Sequence, residues 1–254
     1  PRHPFIMLCQ AGENYAYKHA DVVISMLPKV AEHMQSHGLD LQKLHIVPNG
    51  IDPSEWLGTP EPLDASIAMW FDRLRKMQAH IVGYAGAHGV ANALETLINA
   101  GEQLHEQKVH IVMVGTGTEK EKLEKYAADR NLQNVHFLAP VPKKQIPSLL
   151  KQFDVAYIGL QNQPLFRFGI APNKLMDYMM AELPIVMAIQ AGNDPVSESG
   201  CGLTVAPEDA DSVTHAIQTL LTEPLATRIQ RGAQGRKFVL DNHTYPVLAA
   251  RFLQ

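Results

Sequence analysis

Cysteine is scarce. Cys9 and Cys201 are the only two in 254 residues, and they lie far apart with no CxxC spacing. That points away from a disulfide framework and from a thiolate zinc site, and toward a reducing, cytoplasmic setting. No apolar run approaches the roughly 20 residues that span a bilayer. An excess of basic charge is lacking too. The 22 Lys+Arg against 26 Asp+Glu leave a formal net charge of -4, which argues against nucleic-acid binding through bulk electrostatics. The opening "PRHPFIMLCQ" has no cleavage-site pattern, so it does not read as a signal peptide. It also lacks an initiator Met, which reads as a piece of a longer chain. What is present is ordinary: 46% hydrophobic and 19% charged residues, as in a globular protein of one large or two small domains.

The chain alternates short apolar runs with amphipathic stretches. Strands are expected at 21–27, 44–50, 80–86, 109–115, 135–139, 154–160, 185–189 and 202–205, each a nearly continuous apolar run of parallel-sheet length. Helices are expected at 28–37, 92–107, 119–130, 143–152, 174–182, 209–222 and 225–240. This alternation is the signature of an α/β, doubly wound, Rossmann-like parallel sheet. Residues 80–205 supply six strands, enough for a complete domain reaching to 254. Segment 58–79, "GTPEPLDASIAMWFDRLRKMQA", breaks the rhythm with two prolines, an acidic turn and a helix, and reads as an interdomain connector. Residues 1–57 bring two strands only and read as the tail of a preceding domain.

Three junctions carry chemistry. "GYAGAHGVANALETL" places Gly86 and Gly89, with His88 between them, where a strand turns into a helix beginning near Ala91. Such a turn lets backbone N–H groups approach a phosphate, or it does no more than tighten the chain. "VGTGTEKEKL" contains Gly115, Thr116 and Gly117, but Lys120 stands where a dinucleotide fingerprint needs its third glycine, so a helix start capped by Thr118 reads better. Asp209 and Asp211 form a DxD pattern at a helix start, where acids favour the dipole, and capping is preferred over metal chelation. His33 and His37 have i,i+4 spacing with no third ligand nearby, and read as surface residues.

The stretch "FRFGIAPNKLMDYMMAELPIV", 166–186, gathers more. Arg167, Gly169, Pro172, Asn173 and Lys174 lead into a helix start. Its positive end, free N–H groups and basic side chains favour an anion such as a phosphate. Asp177, expected one turn in, either caps the helix or grips ribose hydroxyls. Near the dipole's positive end it is expected to stay ionised.

With these residues in view, the chain resembles the family-4 glycosyltransferases. "HADVVISMLPKVAEHMQSHGLDLQKLHIVPNGIDP" is similar to the end of that family's N-terminal domain. "IVGYAGAHGVANALETLINAGEQL", "VHIVMVGTGTEKEKL", "NVHFLAPVPKKQIPSLLKQFDVAYIGL" and "APNKLMDYMMAELPIV" follow in its order and spacing, so the resemblance covers essentially the whole chain. It lies nearest the bacterial branch that builds O-antigen, capsule and exopolysaccharide, including the N-acetyl-L-fucosamine transferases. The resemblance implies a GT-B fold whose C-terminal domain binds a nucleotide sugar, UDP-linked by expectation. It also implies transfer with retention to a polysaccharide or lipid-linked acceptor, without a metal or other cofactor. The donor-binding set it implies is Gly86, His88, Gly89, Gly115, Thr116, Gly117, Val141, Arg167, Asn173, Lys174 and Asp177. Asp177 falls on the second acid of the E-x7-E motif, while the first falls on Gly169. The family's loop Arg and Lys fall on Ala87 and Asn92, leaving Lys174 and Arg167 as the available cations. Catalytic and acceptor groups are expected in the preceding domain, which could also bring the protein to the inner face of the membrane. Without that domain, residues 1–57 are expected to dimerise, lose order or dock on the C-terminal domain, and the chain alone is expected to bind donor without turnover. The final helix, running to "LAARFLQ", is expected to pack toward that domain. A GT-B-like UDP-sugar 2-epimerase and a non-catalytic nucleotide-binding module remain as alternatives.

Overall fold

A computed structural model describes residues 3–253. Pro1, Arg2 and Gln254, the outer ends of the divisions above, lie outside the described residues. The strands are β1 (Val23–Ser25), β2 (Leu44–Ile46), β3 (His80–Ala85), β4 (Val109–Val114), β5 (Val135–Leu138), β6 (Val155–Gly159), β7 (Ile185–Ala188) and β8 (Gly202–Val205). The helices are α1 (Pro4–His19), α2 (Ala31–Ser36), α3 (Ala65–Lys76), α4 (Leu94–Gln103), α5 (Lys120–Asp129), α6 (Ile146–Leu150), α7 (Asn173–Met180), α8 (Pro195–Ser199), α9 (Ala210–Thr222), α10 (Leu225–Asn242) and α11 (Tyr245–Phe252). All eight expected strands are present.

Six strands make one sheet in the order β5-β4-β3-β6-β7-β8, every pair parallel. This is the α/β, Rossmann-like sheet the strand–helix rhythm predicts. Its strands read as continuous apolar runs because helices cover both faces. On one face Ile81, Val112, Ile158 and Met187 pack with Phe71 of α3, Leu149 of α6 and Met176 of α7. On the other, Val82, Met113, Tyr157 and Val186 pack with Leu97 of α4, Leu123 of α5 and Ile217 of α9. The chain leaves β3 toward β4 and β5, then crosses back to β6. That places a topological switch point between β3 and β6, and ligands of such sheets bind at the carboxyl ends of the strands there.

β1 and β2 form a separate two-stranded parallel sheet. This segment rests on the larger unit. The Lys29 N–H donates to the Phe168 carbonyl (2.9 Å), Asn49 Nδ2 donates to the Ala171 carbonyl (2.7 Å), and Ile51 bridges Thr244. α11 packs over Gly50, where a Cβ would meet the Leu248 and Tyr245 side chains. Helix α1 is not visible in the sequence pattern because "FIML" is contiguous rather than periodic. It buries no residue, and Phe5 is 66% exposed. The connector helix behaves oppositely: Phe71 is fully buried and Leu74 nearly so, in the same cluster as Ile81 and Phe153.

This contrast is testable by urea denaturation. Phe71→Ala should cost about 3–5 kcal/mol, as for buried aromatics, because α3 melts with the sheet. Phe5→Ala should stay within about 0.5 kcal/mol of wild type. A neutral Phe71→Ala would separate α3 from the core.

Candidate functional site

Two loops at the carboxyl ends of β3 and β4 lie back to back. The His88 N–H donates to the Thr116 carbonyl (2.9 Å) and the Glu119 N–H to the His88 carbonyl (3.0 Å). Glycine is required here by packing. Gly115 has φ 150°, and a Cβ there would fall on the Gly86 carbonyl oxygen; one on Gly117 would strike the His88 backbone. No such demand exists at Gly89, where the nearest atom to a Cβ would be Asn92 Nδ2 at 3.6 Å. Among the described residues the backbone N–H groups of Ala87, Thr116 and Gly117 make no hydrogen bond, which leaves donors at the loop surface. The turn before α5 is not closed by Thr118: Glu119 occupies the cap position, without a side-chain bond, and its own N–H donates to the His88 carbonyl.

Gly86, Gly115, Thr116 and Val141 line one cavity of about 300 Å³, walled further by Ile146 and Leu149. His88 sits fully buried beneath it, with neither ring nitrogen bonded among the described residues. Burial, with Lys120 and Lys174 nearby, pushes its pKa down to about 4, so it is neutral at physiological pH.

Helix α7 delivers the side chains. Leu175, Met176, Tyr178, Met179 and Met180 are buried, which fixes the helix against the sheet and turns Lys174 and Asp177 toward the loops. Lys174 Nζ donates to Tyr84 Oη (2.6 Å) and Asn92 Oδ1 (2.9 Å), and lies 4.4 Å from the Tyr84 ring centroid. A Cβ on Gly86 would sit 3.1 Å from it. Among the described residues no carboxylate pairs with Lys174, and desolvation lowers its pKa to about 8.

Asp177 is not in the first turn, which contains no acid. Pro172 caps a helix that starts at Asn173, so Asp177 is the fifth residue, beyond reach of the free N–H groups. The expectation of dipole stabilisation is corrected accordingly: burial raises its pKa to about 6, with Lys143 opposing and Glu55 reinforcing the rise. Its carboxylate lines a second cavity of about 620 Å³, which shares Ile146 with the first. Lys174 and Asp177 are three residues apart, hence on one helix face.

Other expected residues lie apart. Arg167 donates from Nη1 to the Pro164 carbonyl (2.7 Å), stacks on Phe168, and lines a different hollow with Lys29 and His33. Asn173 is exposed and lines a groove with Asn49 and Tyr245. Asp209 caps α9, accepting from the Ser212 N–H (3.1 Å) and Oγ (2.6 Å). His33 and His37 are half-buried rather than superficial, and His37 Nδ1 lies 3.0 Å from Asn14 Oδ1. No group of three or more metal-ligating side chains is present among the described residues. No described helix is long and apolar enough to cross a membrane. Sequence reasoning missed Tyr84 and Lys143 as site residues. Asn92 was read only as a departure from the family pattern, although it holds Lys174.

A family model described as "Glycosyl transferases group 1" matches residues 79–223. The putative colanic acid biosynthesis glycosyl transferase WcaI of Escherichia coli (strain K12) is 26% identical over 166 residues, 64% of this chain and 40% of that protein. Among solved structures, HepE of Anabaena in complex with UDP superposes with TM-score 0.77 at 17% identity, covering 96% of this chain and 66% of that one. WaaG, a glycosyltransferase involved in lipopolysaccharide biosynthesis, gives TM-score 0.72 at 16% identity, with coverage of 99% and 68%. These likenesses identify the sheet unit as a GT-B type domain. The chain spans 40% of the length of WcaI and 66% of HepE.

The Asp177 shift has a definite sign. Unfolded, its carboxyl titrates near 3.8; folded, near about 6. The folded form holds the extra proton between these values, so stability falls as pH rises through that window. Asp177→Asn should flatten this slope and raise stability at pH 8 by about 1–2 kcal/mol, with no gain at pH 3. A loss at pH 8 would mean that the carboxylate is a stabilising cap.

Proposed function

The chain belongs to the group 1 glycosyl transferases, and from that membership we propose that its sheet unit binds the nucleotide diphosphate of a UDP-sugar donor. The protein then contributes to moving that sugar, with retention, to a polysaccharide or lipid-linked acceptor at the cytoplasmic face of a bacterial membrane. The observation that carries this reading is Lys174: a largely buried cation beside Gly86, held by two neutral partners and with no carboxylate paired to it among the described residues. A diphosphate supplies that charge, and the free N–H groups of Ala87, Thr116 and Gly117 supply further donors. UDP and UDP-glucose are the molecules bound in the HepE complexes, which supports the same assignment here. The relative named for colanic acid biosynthesis supports a polysaccharide acceptor.

Along α7 the donor would run from diphosphate at Lys174 to ribose at Asp177, whose carboxylate accepts from the diol. As the glycosidic bond breaks, charge grows on the departing diphosphate, and a fixed cation with preset amides stabilises that charge more than the ground state. The reading needs no metal ion. Domain roles follow it: residues 80–254 as the donor side, 58–79 as connector, 1–57 as part of the acceptor side. None of the residues described is assigned the chemical step.

Titration calorimetry with UDP-glucose, whose diphosphate does not itself titrate near neutrality, tests this reading. Binding should persist in EDTA and be strongest between about pH 6 and about pH 8. It should weaken on the acid side as Asp177 takes a proton, and on the alkaline side as Lys174 loses one. Lys174→Ala should cost about 1.5–3 kcal/mol for UDP and much less for uridine. Equal losses for both ligands, or binding that returns only with manganese, would contradict it.

A further inference from the structure

The cavity that receives Asp177 has a wall the sheet does not provide. Residues 55–61, running from the turn Pro53–Trp56 into the connector, face Ile146 and Pro147 at the start of α6. This strap is tethered at three places. Lys143 Nζ donates to Glu55 Oε1 (2.6 Å), Ser148 Oγ to the Glu61 carbonyl (2.6 Å), and Gln145 Nε2 to Asp64 Oδ1 (3.2 Å). Between strap and helix lies the space of about 620 Å³. Its apolar lining is Trp56, Leu57, Pro60, Ile146 and Pro147, beside charged residues from both walls and Asp177 at the α7 side. Trp56 is half-buried, packed against the core and also lining the cavity. The Asp177 carboxylate accepts no hydrogen bond from the described residues, yet burial holds its pKa at about 6.

A mainly apolar slot with one indole and a nearby acceptor suits a flat heterocycle joined to a diol. We infer that the strap of residues 55–61 closes the nucleoside end of the donor site, with Trp56 the stacking face for the base while Asp177 holds the ribose. The inference rests on the donor-site reading above and adds a residue from outside the sheet unit. It couples donor occupancy to the strap that leads into the connector, because a base against Trp56 bears on the segment that Lys143 and Glu55 hold in place. Stacking is tolerant of base identity, so Trp56 contributes affinity more than choice among bases.

Trp56 and Trp70 are the two tryptophans of the chain. Trp70 packs edge-on against Phe71 and His136, so Trp70→Phe leaves Trp56 as the sole indole reporter. Emission and calorimetry are followed on the same samples with UDP, uridine and pyrophosphate. UDP and uridine should quench Trp56 saturably at their calorimetric Kd, and pyrophosphate should not. Trp56→Ala should weaken UDP and uridine by the same factor, about tenfold or more, leaving pyrophosphate unaffected. Trp56→Phe, the less disruptive change, should recover most of the loss. UDP that binds calorimetrically without altering emission, and equally well to Trp56→Ala, would overturn the Trp56 assignment alone. No heat with UDP in wild type would overturn the donor-site reading along with it.

Discussion

A lysine that is largely removed from water and given no acid partner among the described residues is the constraint on which the site turns. Taking an ammonium out of water costs several kcal/mol unless it is paired. Lys174 meets only a phenol and an amide, Tyr84 and Asn92, so desolvation draws its pKa to about 8. Tyr84 in turn donates to the Ala87 carbonyl (2.6 Å), and Asn92 Nδ2 to the same oxygen (3.1 Å). Lysine, strand end and glycine loop are thus one connected polar assembly at the switch point. Its unmet need is negative charge.

The fold keeps that assembly in place through apolar packing and one buried hydroxyl. Five buried residues of α7 fix the helix against the sheet, and Tyr178 ties it to the end of β3, its Oη accepting from the Ala85 N–H (2.8 Å). The two glycine loops can touch only because Gly115 and Gly117 lack side chains. Asp177 then projects from the same face of α7 into a cavity that the connector borders, so a ligand bridging the two residues spans sheet unit and strap. An elongated ligand with an anionic middle and a polyol beside it matches this arrangement.

Much of the frame was legible in the sequence. Parallel strands sandwiched by helices must be apolar throughout, so "HIVGYAG" and "VHIVMVG" announce themselves, and Pro172 marks the start of α7. The site was only partly legible, because side-chain partnership is long-range. Lys174 and Arg167 look equivalent in sequence, seven residues apart, yet only Lys174 reaches Tyr84 and Asn92, which lie 90 and 82 positions away. Asp177 was expected within reach of the dipole, but the helix begins at Asn173, one residue before the expected start, and as its fifth residue Asp177 is desolvated instead. Helix α1 escaped notice because it buries none of its residues against the described chain, and an unburied face leaves no periodic trace.

The most direct measurement is the titration of Lys174 itself, followed by NMR of its labelled side chain with and without UDP. Free, it should titrate near about 8; with UDP bound it should return to the ordinary lysine range near 10.5, because the diphosphate completes the pair. A Lys174 pKa unmoved by saturating UDP would contradict the account, since the buried cation would then owe nothing to the donor.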